Sequence, residues 1–107
     1  MIVTTTPDVA GQRVVETLGM VRGSSIRALH FGKDVAAVLR YLTGGEVKEY
    51  TKVLAETREQ AIDRMVEEAQ ALDADAIVAV RFQTAEVMRG AAEMLCYGTA
   101  VRLAPTE

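Results

Sequence analysis

Apolar and polar residues alternate along this chain in two distinct rhythms. Between Thr43 and Leu72 the apolar residues Val47, Tyr50, Leu54, Ala61, Met65, Ala69 and Leu72 recur at spacings of three, four or seven, and Glu49, Lys52, Glu56, Glu59, Asp63, Glu67 and Gln70 take the other side. That is the apolar stripe of one long solvated helix. Thr43 with Glu46 has capping-box spacing, and Leu42 with Val47 has hydrophobic-staple spacing around the same N-cap. Gly44 and Gly45 make a poor first turn and predict a bend against a preceding helix, where Asp34 caps the inward positions Val35, Val38, Leu39 and Leu42. Thr57 with Gln60 offers a second capping pair and hence a break halfway, against the continuity of the stripe. Arg58 interrupts the stripe between Leu54 and Ala61; an arginine placed there snorkels to a rim or pairs with a carboxylate across a subunit contact.

The second rhythm is that of strands. Ile2 to Thr6 is β-branched and ends at Pro7-Asp8 and Gly11, so it predicts a short strand on which a longer one, Arg13 to Arg27, pairs back. Both faces of that longer strand carry apolar groups, and Gly19 and Gly23 predict a bulge or a close backbone approach. Ala76 to Thr84 opens on Ala-Ile-Val-Ala-Val, a run expected of a strand covered on both faces. A loop from Glu86 to Ala92 then leads into a last strand, Glu93 to Leu103.

The order is therefore strand, strand, helix pair, strand, strand: an α+β domain with a four-stranded, mainly antiparallel sheet and a kinked helix pair on one face. Four strands span roughly 19 Å at 4.8 Å spacing, and one helix is about 10 Å across, so the helical layer covers only one face. The central strands are apolar on both. Self-association through the sheet or its edges follows, and a closed symmetric ring hides several edges at once.

Composition narrows the picture. The 107 residues suit one domain spanning 1–107, and with no Trp, two Phe and three Tyr the core must come from Val, Leu, Ile, Ala and Met. A net charge of −3 with no Lys/Arg cluster excludes nucleic acid as a partner class. No apolar segment is long enough to span a membrane, and Met1 to Pro7 lacks the build of a signal peptide, so a cytoplasmic protein is expected. A single cysteine, Cys96, agrees with a reducing compartment.

Candidate chemistry is sparse. A soft or divalent metal needs two to four converging thiolate, thioether or imidazole ligands, and the chain offers Cys96, His30 and five Met without any Cys-x-x-Cys or His-x-x-x-His spacing. The simplest reading of Cys96 is a small buried hydrophobe, and that of His30 an exposed or capping side chain; a ring that gathers copies of Cys96 around its axis is the way to a metal site. One Cys and one His without an elbow or an orienting group predict no enzyme. Paired acids such as Glu59 with Asp63 read as a solvated helix face. Two readings remain: a ring binding module whose inter-subunit clefts hold a metal ion or small ligand, with Arg58 and Arg89 as ligand-binding candidates and the Glu86–Ala92 loop as a gate, and a scaffold ring that holds none.

Five segments carry a family resemblance: Ile2-Val3-Thr4-Thr5-Thr6, Gly44-Gly45-Glu46 with Tyr50-Thr51, Arg58 with Ala61, Ala74-Asp75-Ala76-Ile77-Val78, and Tyr97-Gly98-Thr99-Ala100-Val101. In this order, over nearly the whole chain, they resemble the YbjQ-like family of small bacterial and archaeal proteins, whose function is unestablished. The resemblance implies a dodecin-like subunit, a pentameric ring, and a label of heavy-metal binding. Two departures stand out. Asp73 occupies a position where a Gly commonly ends the helix, and Asp suits neither the left-handed conformation nor the negative end of the helix dipole. Cys96 replaces an Ala or another small apolar residue, so a site built on it would be particular to this chain.

Overall fold

The computed structural model describes residues 1–28, 47–88 and 91–106. Strand β1 spans Ile2–Val3, β2 Gln12–Ala28, helix α1 Val47–Ala71, β3 Ala76–Met88 and β4 Ala91–Pro105. They form one mixed sheet in the order β1-β3-β4-β2 under a helix, a small α+β architecture. Among the described residues there is one helix where the sequence pattern predicts a pair; the stretch 34–42 and the capping residues 43–46 lie outside them.

The four expected strands are present, the first over Ile2–Val3 rather than Ile2 to Thr6 and with a different partner. β1 pairs in parallel with β3, Ile2 beside Ala76 and Val3 beside Ile77, and β2 pairs antiparallel with β4 along nearly its whole length. The expected hairpin between the first two strands does not form. The reason is packing: after β1 the chain crosses the face of the sheet turned away from α1, where Val9, like Leu103, packs on the cluster of Ala76, Val78 and Val101. A turn with Gln12 N donating to Val9 O (3.0 Å) and Gly11 at φ +75° then launches β2. β3 also runs on to Met88 and β4 starts at Ala91, so both ends of the predicted loop from Glu86 to Ala92 belong to strands, and residues 89–90 lie outside the described residues.

Of the four register shifts among the described residues of the sheet, two coincide with residues at positive φ. Gly19, at φ +124°, sits where the β2–β4 register shifts between Thr17 and Gly19, in a backbone conformation that a side chain rarely adopts. In β3 the register shifts between Val78 and Arg81, and Ala79 stands at φ +54°. The freed amides are not orphaned, since Ala79 N donates to Thr6 O (2.8 Å) and Val80 N to Thr4 O (3.0 Å). The N-terminal segment thus braces the β3 bulge.

On α1 the buried positions are Thr57, Ala61, Met65 and Ala69, one line of four-residue steps, with Ile62 and Val66 half-buried beside it. The line is narrower than the predicted stripe, because small residues let the helix backbone lie close to the sheet; Leu54 and Leu72 stay exposed. The helix runs unbroken past Thr57, whose hydroxyl donates back to Val53 O (2.7 Å) rather than capping a new segment. Its core partners are Val21 of β2, Ile77 and Val80 of β3, and Cys96 and Ala100 of β4.

Candidate functional site

Cys96 is the first candidate ligand, and it is fully buried between the sheet and α1 in the cluster of Val21, Ala61, Met65, Ile77 and Ala100. Burial pushes its thiol above the usual range, which outweighs backbone hydrogen bonding at Gly23 and at Cys96 itself that lowers it. A protonated thiol in an apolar pocket is neither nucleophile nor metal ligand. His30 and Arg89 lie outside the described residues. Arg58 is exposed on α1: the inward position of the helix is taken by Thr57, one residue away, so the stripe is not interrupted at all.

Heavy-metal binding needs converging donors, and among the described residues no group of three His, Cys, Asp or Glu side chains is placed to hold an ion. The described residues of one protomer therefore do not fit a metal centre. The polar side chains between helix and sheet and at the ladder's end have structural partners instead. Ser25 Oγ donates to Gln60 Oε1 and Arg64 donates to Ser24 O, tying α1 to β2. Asp75 Oδ2 accepts from Leu103 N (2.8 Å) at the end of the β3–β4 ladder. Sequence reading missed these ties; the polar pair Thr57 and Gln60 in the middle of the stripe was the signal for them.

What the fold leaves open is larger. α1 sits over β2 and β4, so Phe82 on the helix side of β3 is 44% exposed, and on the far face Met20 and Ile26 are 63% and 58% exposed. Two strand edges are also unpaired among the described residues: the outer edge of β2, and β3 beyond the bulge, since β1 reaches only Ile77. A β2 of 17 residues is about 56 Å long at 3.3 Å per residue, a long row of free N–H and C=O groups.

A family profile described as "Putative heavy-metal-binding" matches residues 1–104. The chain belongs to the YbjQ-like family. A UPF0145 protein of Methanosarcina acetivorans is 56% identical over 103 residues, covering 96% of this chain and 97% of that one. One from Thermus thermophilus is 55% identical over 105 residues, with 98% and 92% covered. A crystal structure of a protein of unknown function from Pediococcus pentosaceus, placed in the DUF74 family, superposes with a TM-score of 0.66 over 97% of this chain and 98% of that one. At 18% identity that likeness speaks for the fold. In this YbjQ-like chain the quoted family segments map onto structural tasks: Ile2 to Thr6 braces the β3 bulge, Asp75 closes the ladder, and Gly98 lets β4 pass beside β3. A Cβ on Gly98 would stand 2.7 Å from Ile77 Cγ2 and 3.0 Å from Val78 O.

Proposed function

We propose that this YbjQ-like protein is a homo-oligomeric ring of five subunits that works as a non-enzymatic binding module, with its ligand held between subunits. The observation that carries the reading is the pair of unlike free edges on opposite sides of one sheet, beside Met20, Ile26 and Phe82 left in water. Pairing the β2 edge of one copy with the distal β3 edge of the next is a heterologous contact, and heterologous contacts close into rings when the rotation allows. The subunit's dimensions support it: the radius of gyration is 17.8 Å, against about 13 Å for a compact chain of this length. The number five comes from the family resemblance. A metal enters this reading only through donors contributed by several subunits, because one protomer's described residues do not supply them.

Light scattering coupled to size exclusion tests it. A mass five times the protomer's supports the ring, and a monodisperse protomer at micromolar concentration overturns it. Calorimetric titration with zinc and cadmium, beside Cys96→Ala, tests the metal: heat that survives the substitution places the donors elsewhere, and no heat removes metals from the ligand class.

A further inference from the structure

On the sheet face turned away from α1, Arg22 of β2, Tyr97 of β4 and Arg81 of β3 stand in a single row. Arg22 and Tyr97 are paired residues of one ladder, and Arg81 and Tyr97 of the other. Paired residues point to the same side, and strands lie about 4.8 Å apart, so the two arginines flank the tyrosine with backbones roughly 10 Å from each other. Long side chains at that separation can meet over the ring.

Arg81 is held in place before any ligand arrives. Its Nη1 donates to Thr5 O (2.9 Å) and to Val80 O (2.8 Å), which uses both protons of that nitrogen. Among the described residues nothing takes Nε–H and Nη2–H, the parallel pair of donors that recognises oxyanions side-on. The row is also uncompensated. Its strand neighbours on this face are Met20 and Ser24 on β2, Leu95 and Thr99 on β4 and Gln83 on β3, none of them acidic, and Asp8 of the crossing N-terminal segment makes no ion pair with it. The first carboxylate along β4 on this face is Glu93, four residues from Tyr97 and so about 13 Å away. The ion pair present among the described residues, Arg102 with Glu16, lies elsewhere. Two like charges on one row oppose folding mildly, in a chain whose net charge is −3. A bound anion reverses that sign.

We propose that Arg22, Tyr97 and Arg81 form a binding site for the dianionic phosphate group of a small molecule, either a phosphate monoester or free phosphate. Arg81 grips two oxygens with its free edge, Arg22 closes from the opposite strand, and the Tyr97 hydroxyl donates to a third. Three donors around one point suit a tetrahedral dianion better than a planar carboxylate, and the two guanidinium charges match its two negative charges. The site goes beyond the ring reading and stands within a single protomer, so failure of either leaves the other in place.

The test is titration of the intact protein with inorganic phosphate and, separately, with phenyl phosphate, followed by calorimetry and by the Nε–H resonances of nitrogen-15-labelled arginine. Saturable binding is expected, weakening as salt rises, with the Arg81 Nε–H resonance shifting in step. Arg22→Ala and Arg81→Ala should each weaken it roughly tenfold, and Arg81→Lys nearly as much, because lysine keeps the charge and loses the fork. Tighter binding of phenyl phosphate assigns an ester, and equal affinity assigns free phosphate. Absence of saturation with both probes, an unmoved Arg81 resonance at saturating phosphate, or unchanged affinity in the two alanine variants overturns the site. The resonance is read on the unaltered protein and does not depend on any variant folding.

Discussion

Gly23 of β2 touches the backbone of Ala61 on α1 so closely that no side chain fits between them. A Cβ built on Gly23 would overlap the Ala61 carbonyl oxygen and stand 2.5 Å from Met65 N. Neither atom is the end of a flexible side chain, so the whole helix would have to move. This contact sets the distance between helix and sheet, and with it the depth at which Met65 and Cys96 are buried. Gly23→Ala is therefore expected to cost on the order of 3 kcal/mol, the upper end for overpacking, and to lower the melting temperature by roughly 15 °C. Calorimetric unfolding of the variant checks it; a loss of only a few degrees would mean the helix shifts freely.

The C-terminus of α1 offers the opposite sign. Ala74 N donates to Ala69 O (3.1 Å) and Asp73 N to Gln70 O (3.0 Å), the two bonds of a Schellman motif, with Asp73 in the left-handed position at φ +58°. Aspartate there bears both a conformational cost and a charge at the negative end of the helix dipole. Asp73→Gly is expected to stabilise the fold by about 1 kcal/mol. Asp73→Asn, which removes only the charge, should recover part of that gain. Chemical denaturation of the two variants separates backbone from charge, and a Gly variant no more stable than the parent would sink the assignment.

These two positions show how far the residues alone reach. Gly19 and Gly23 announced a bulge and a close approach in β2, and one of each is found, because a glycine in a strand has few other reasons to be there. Asp73 announced strain at the end of α1. The pairing of β1 with β3 was not legible: strand partners depend on contacts distant in sequence, here Val9 on Ala76, Val78 and Val101. Of the inward line of α1, Ala61, Met65 and Ala69 were legible and Thr57 was not, since it is polar by composition and its hydroxyl is satisfied within the helix by Val53 O. The Arg22, Tyr97 and Arg81 row was equally hidden, as register across three strands cannot be read from any one of them.

Cys96 should be inert in the native state. Its buried thiol is expected to react with a thiol-directed disulfide reagent only as fast as the protein opens, and fully once it is denatured. The pH dependence follows from the raised native value. Below the ordinary thiol value both states are protonated and stability is unaffected. As pH rises past it, the unfolded thiol ionises while the native one stays protonated, so stability is lost until the native value is reached. Cys96→Ala should remove that alkaline loss. Denaturation midpoints of the two proteins at pH 8 and pH 10 check it, and parallel declines would place the titrating group elsewhere.

Charging the two free edges separates a ring held by strand pairing from one held by any other surface. Ile26 is exposed near the end of β2, and Phe82 is exposed just past the bulge of β3, where the edge loses its β1 partner. Natural sheets keep such edges apart with lysine, because burying an ammonium between paired strands has no compensating partner. Ile26→Lys or Phe82→Lys alone is expected to weaken assembly, by roughly tenfold to a hundredfold in dissociation constant for a buried charge worth a few kcal/mol. Both positions are solvent-exposed in the protomer, so its circular dichroism should be unchanged. A mixture of the two variants should stop at dimers, since only one junction can join two unaltered edges and a closed head-to-tail ring needs them at every junction. Full-size particles from either variant at low micromolar concentration would show that subunits meet through the open sheet face instead, with Met20 as the next residue to charge.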